Sequence, residues 1–101
     1  MSKIVLTKVE QTLRLSGELI RQTVPLIPNN ESRQLLKENN ANIDLAEVTK
    51  VDTAGLAWLL TQVEYAQAND CHLSLLHIPS NLIKLAELSS VLSFLPINTN
   101  S

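Results

Sequence analysis

The sequence predicts a single α/β domain, a mixed sheet of about four strands flanked by helices. Three observations lead there. Four short apolar runs (Ile4-Val5-Leu6, Thr12 to Gly17, Ile43 to Ala46 and Leu73 to Ile78) have the length and spacing of strands. Helical periodicity fills the stretch between the last two, from Ala54 to Asn69. The chain is 45% hydrophobic, which separates it from disordered proteins. Its aromatics are only Trp58, Tyr65 and Phe94, so the core must be built from Leu, Ile, Val and Ala.

Thr12-Leu13-Arg14-Leu15-Ser16-Gly17 alternates polar and apolar residues, the period of a half-buried strand. The polar break from Lys8 to Gln11 makes it the second arm of a hairpin with Ile4-Val5-Leu6, and Gly17-Glu18 ends it. Pro25 and Pro28 oppose a regular helix through the next segment. A helix is expected only after Asn29-Asn30, over Arg33 to Glu38, capped by Asn30 or Ser32 and stopped by Asn39-Asn40. The strand Ile43 to Ala46 then leads through a polar turn into the long helix. After the fourth strand, Pro79-Ser80 punctuates the chain. Asn81 to Leu88 has helical spacing, and Ser89-Ser90 caps a last short helix from Val91 to Leu95. Two strands followed by β-α-β-α give a sheet whose parallel part is made by right-handed crossovers. The domain is expected to span 1–97, with 98–101 a polar C-terminal tail.

Several function classes lose support at once. Net charge is −2, from 8 basic and 10 acidic residues with no basic run, so nucleic-acid binding is not indicated. Cys71 is the only cysteine, which rules out an intrachain disulfide. The N-terminus has no signal-peptide pattern, and the longest apolar run, Ala54 to Leu60, is too short to span a bilayer; a cytoplasmic location is the default. Cys71, His72 and His77 match no zinc spacing. With Gly17 and Gly55 the only glycines, no phosphate loop is possible, and no Ser-His-Asp or paired-carboxylate arrangement is recognisable. Neither enzymatic activity, a metal nor a cofactor is expected. The amphipathic C-terminal segment has Lys84 as its only cation, poor equipment for an anionic membrane, so packing on the sheet is the simpler account.

The long helix carries the informative chemistry. Asp52-Thr53 opens it, and the Thr53 hydroxyl suits an N-cap, placing an acid and a hydroxyl at the positive end of the helix. At about 100° per residue, Leu56, Leu59, Leu60 and Val63 share one face and belong on the sheet. Ala54, Trp58, Thr61, Tyr65 and Ala68 lie opposite, with Ala57 at the edge. Two readings stay open. In one, Trp58 and Tyr65 are tucked under neighbouring helices of the same domain; in the other, they form a docking surface that begins at Thr53. In the docking reading Trp58→Glu abolishes partner binding and leaves the fold intact. Gly55, costly inside a helix, implies close approach of either the adjoining turn or a partner.

Asp44-Leu45 followed by Val51-Asp52-Thr53-Ala54-Gly55-Leu56 resembles the signature of STAS domains, and the resemblance extends over nearly the whole chain. It implies the same α/β class and a non-enzymatic protein that works by binding a partner; because the motif and the outward helix face share one element, the expected contact residues are Asp52, Thr53, Ala54, Ala57, Trp58, Thr61 and Tyr65. Two branches of the family differ in partner. In the small cytoplasmic STAS subunit of Mla-type phospholipid-transport ABC complexes of Gram-negative bacteria, the partner is the ATPase beside a membrane permease, and ATP belongs to that partner. Ala57-Trp58-Leu59-Leu60 and Leu82 to Leu88 look more like this branch, which implies a place at the inner membrane, through the complex, and a role in lipid asymmetry. In anti-sigma factor antagonists, the alternative, a partner kinase phosphorylates the motif hydroxyl, here Thr53. That branch more often carries Ser and a second small polar residue where this chain has Thr53-Ala54.

Overall fold

The computed structural model describes residues 2–97, so the expected tail, 98–101, lies outside the described residues. Strand β1 (Ile4–Val9) turns at Glu10-Gln11 into β2 (Thr12–Leu19). A single 3₁₀ turn at Val24–Leu26 precedes α1 (Asn29–Leu35), β3 (Asn40–Val51), α2 (Thr53–Ala68), β4 (His72–Leu76) and α3 (Ser80–Leu88); a second 3₁₀ turn follows at Leu92–Phe94. The sheet order is β1-β2-β3-β4, with β1/β2 antiparallel and the other two pairs parallel. The expected fold class therefore stands.

Alternation along the strands separates the two faces of the sheet. Leu13, Leu15, Ile43, Leu45, Leu73 and Leu75 point to the side where the helices pack, and all are buried. Thr12, Arg14, Asn42 and Leu76 lie on the other side and keep solvent contact. Leu59, from the middle of α2, is fully buried over the inner face.

Several boundaries differ from the sequence reading. Strand β2 does not stop at Gly17-Glu18. Gly17 takes φ +112°, and a β-carbon there would collide with the carbonyl oxygen of Lys3. The residue lets β2 kink against β1 and continue to Leu19. Because β2 continues, β3 gains a partner beyond Ala46: Ser16 pairs with Glu47, Gly17 with Val48 and Leu19 with Val51, across two register shifts. The expected polar turn at Glu47 to Lys50 is thus strand, its alternation hidden by those shifts. Val48 and Val51 are buried, while Glu47, Thr49 and Lys50 remain exposed.

Helix α1 lies earlier than expected. It begins directly after Pro28, whose φ of −71° suits a helix start, and no side chain caps it. Ser32 donates instead to the Asn29 carbonyl at 3.1 Å. The helix ends at Leu35, and Asn40 is already the first residue of β3. Strand β4 ends at Leu76 because His77 takes φ +55°. Its outer edge is partly covered by the chain's return: Leu75 N–H donates to the Pro96 carbonyl at 2.9 Å. Ser89 closes α3 rather than opening a helix, and only a 3₁₀ turn forms after it. Both α2 and α3 end in left-handed residues, Asp70 and Ser90, with the paired closing hydrogen bonds of a Schellman cap.

Candidate functional site

The start of α2 is held from below and from the side. Asp52, not Thr53, is the N-cap: its Oδ1 accepts from Gly55 N–H at 3.0 Å. Its Oδ2 accepts from Arg21 N–H at 2.9 Å, tying the helix to the segment after β2. Burial pushes the Asp52 carboxyl up, but the N–H groups of Arg21, Gly55 and Ala54 and the charge of Lys50 outweigh it and hold it below its ordinary value of 3.8. Gly55 is buried, and a β-carbon there would collide with the Leu19 carbonyl oxygen. The close approach that Gly55 implies is therefore made by the end of β2. Thr53 becomes the first helical residue. It is exposed, and its hydroxyl makes no hydrogen bond among the described residues. The expectation that it caps the helix is corrected, because the carboxylate one position earlier already occupies the free N–H.

Leu56, Leu59 and Val63 face the sheet as expected, and Leu60 sits half-buried on the flank. The opposite side is not a free surface throughout. Trp58 is only 7% exposed, because the 3₁₀ turn at Val24–Leu26 and α1 rise beside α2 and enclose its ring. The expectation that Trp58→Glu leaves the fold intact is corrected by this burial. Tyr65 is half-buried, Ala54 likewise, and Ala57 and Thr61 are exposed.

These five residues line one groove between α1 and α2, of about 370 Å³. Val24, Asn29, Arg33 and Gln62 complete it. The Arg33 guanidinium lies 5.5 Å from the centre of the Tyr65 ring, within cation–π range. Two polar groups are already committed to the helix: Thr61 donates to the Ala57 carbonyl at 3.0 Å, and Gln62 Nε2 to that of Trp58 at 3.2 Å. The buried Trp58 Nε1 has no acceptor among the described residues, and an unmet donor of this kind costs on the order of 1–3 kcal/mol. Asp52 and Thr53 sit just beyond the groove, at the end of α2.

A second polar constellation lies on the outer face of the sheet, and sequence reasoning missed it. Asp44 is 4% exposed. Its Oδ1 accepts from Ala46 N–H at 2.9 Å and lies 3.0 Å from His77 Nδ1; a carboxylate only accepts, so the ring presents Nδ1–H. Arg14 Nη2 lies 3.4 Å from Oδ2, and Arg14 Nη1 lies 3.9 Å from Glu47. Burial pushes the Asp44 carboxyl up, but the Ala46 N–H, the bond to and charge of His77 and the charge of Arg14 together hold it below 3.8. The available signal was one acid at an outward position of an apolar strand, Ile43-Asp44-Leu45; its partners come from two other elements. Elsewhere, burial and the charge of Glu38 push the Cys71 thiol up, away from thiolate reactivity. No His, Cys, Asp and Glu among the described residues group to hold a metal ion. No helix there is long and apolar enough to cross a membrane.

The family model described as "Mlab, STAS domain" matches residues 2–96. The chain is 36% identical over 77 residues to the intermembrane phospholipid transport system binding protein MlaB of Escherichia coli K12, covering 76% of this chain and 77% of that protein. The same figures hold for MlaB of Shigella flexneri. Among solved structures, it is similar to the anti-sigma factor antagonist SpoIIAA in its unphosphorylated form, with a TM-score of 0.69 and 18% identity over 96% of this chain and 89% of that one. The phosphorylated form of SpoIIAA, the Bacillus cell fate determinant, aligns with a TM-score of 0.65 and 16% identity over 96% and 92% of the two chains. At such identities these structures speak for the fold.

Proposed function

The chain belongs to the STAS domain family of the MlaB type, and from that premise we propose that it is a non-enzymatic subunit of an Mla-type phospholipid-transport complex. It docks on the cytoplasmic ATPase of the transporter and supports its assembly or activity. Its place is peripheral to the inner membrane, through the complex with the permease. The observation that carries this reading is the 36% identity to MlaB over about three quarters of both chains. The shape of the site supports it. A small groove with an aromatic floor, beside an exposed hydroxyl at a helix start, suits protein docking better than turnover of a substrate. Docking uses Thr53 and the groove residues Ala54, Ala57, Trp58, Thr61 and Tyr65, with Asp52 holding the helix start in place.

One observation favours a second reading, in which a kinase modifies Thr53. Thr53 is exposed, and its hydroxyl has no hydrogen-bond partner among the described residues. A phosphate there would add a charge of about −1.5 to −2 beside Asp52, and would act by repelling an acidic partner surface rather than by unfolding the domain. Affinity purification of the tagged protein from its native cells, with mass spectrometry of the partners and of the Thr53 peptide, separates the two. Recovery of an ABC ATPase with its permease and an unmodified Thr53 is the expected result. Recovery of a kinase together with phosphate on Thr53 would replace the transporter reading with the second one.

A further inference from the structure

We infer that the groove between α1 and α2 receives an acidic, apolar segment of the partner protein, with a carboxylate seated on Arg33. The inference rests on the docking reading above and adds the chemistry of what docks.

Of the nine residues lining the groove, Arg33 alone is charged. In a chain of net charge −2, this makes the groove mouth a local positive exception. No carboxylate among the described residues lies within 4.0 Å of the Arg33 guanidinium; the ion pairs present involve Arg14 and His77. The guanidinium is nevertheless positioned, because it rests over the Tyr65 ring. A planar fork held in this way presents its N–H donors outward and matches a carboxylate.

The remaining polar groups point the same way. With Thr61 and Gln62 already donating to helix carbonyls, the exposed donors left over are Arg33 and the Asn29 amide. That set calls for acceptors, not for another cation. Val24, Ala54, Ala57 and the Trp58 ring supply apolar wall, which a bare anion would leave uncovered. A space of about 370 Å³ accepts a few side chains of a partner segment.

The test measures the affinity of the purified transporter ATPase for the wild-type chain and for Arg33→Glu, Arg33→Ala, Arg33→Lys and Ala57→Trp, each at low and high salt. Arg33 and Ala57 are exposed, so these variants are expected to fold, which a melting curve checks. Ala57→Trp plugs the groove. The expected result is loss of binding for Ala57→Trp, a loss of about tenfold or more for Arg33→Glu at low salt, and partial retention for Arg33→Lys. Raising salt from about 0.05 to about 0.5 M is expected to weaken the wild type and to leave Arg33→Ala nearly unchanged. If Ala57→Trp abolishes binding while Arg33→Glu binds as the wild type does, the groove docks without a carboxylate, and the inference falls while the docking reading stands. If Ala57→Trp binds normally, docking at this groove falls, and the inference with it.

Discussion

The outer face of the sheet and the groove between α1 and α2 each hold buried polar atoms beside an arginine, yet they are built on opposite terms. On the outer face the charges around Asp44 answer one another: Asp44 meets His77, Arg14 and the Ala46 N–H, and Arg14 reaches Glu47. In the groove, Arg33 has no acid within 4.0 Å among the described residues, and beneath it the sealed Trp58 Nε1 has no acceptor there. A cluster that satisfies itself holds strands and turns together. An exposed donor left open, as Arg33 is, has a reason to meet another molecule. The density of charge does not tell the two apart; the unpaired groups do.

The comparison can be broken at four places. The largest effect is expected at the floor of the groove. Trp58→Glu puts a charge where a side chain is 7% exposed, and is expected to abolish the cooperative thermal melt, whereas Trp58→Phe keeps a melt and removes the unmet donor. Next comes the self-satisfied cluster. Asp44→Ala strands the His77 and Ala46 donors, and is expected to cost about 1.5–3 kcal/mol in urea unfolding.

The same carboxylate sets the acid limb of stability. Asp44 and Asp52 both titrate lower in the folded chain than the ordinary 3.8. The stability they add is complete above the unfolded carboxylate range and is lost as pH falls through their lower folded values. Melting temperature is therefore expected to drop on acidification below about pH 4, and less steeply in Asp44→Asn than in the wild type. An equal drop in both would remove Asp44 from the account.

Smaller again is Asp52→Ala, which removes the N-cap and the tie to Arg21 and is expected to cost about 1 kcal/mol by chemical denaturation. Smallest is Thr53→Ala, expected to change stability by less than about 0.5 kcal/mol while weakening the partner complex measurably by titration. A stability loss as large as that of Asp52→Ala would return Thr53 to a structural role.

Much of this arrangement was legible in the residues. Alternation in Thr12 to Gly17 marked β2, and the spacing from Leu56 to Val63 marked the inner face of α2, because both signals are local and each side chain reports its own burial. What stayed hidden depends on distant partners. Nothing near Glu47 to Lys50 marks a strand; those residues pair only because β2 bends at Gly17 and continues. Trp58 is enclosed by a segment whose two prolines silence helical periodicity, so neither its course nor its place beside α2 can be inferred from spacing. Five of the six groove residues on α2, all but Gln62, were found together because helix geometry alone groups them. Arg33, on another element, was not. His77 looked like a strand residue until its left-handed backbone turned the ring toward Asp44.

The order of the sheet has one more consequence. The strands lie side by side in the order in which they occur in the chain. A ribosome releasing this polypeptide first frees a hairpin, β1 with β2, that pairs locally. Each later strand then finds its neighbour already at the growing margin, with no need to insert between two earlier ones. Assembly can follow synthesis from one end to the other, and the strand left waiting at any moment is only the newest.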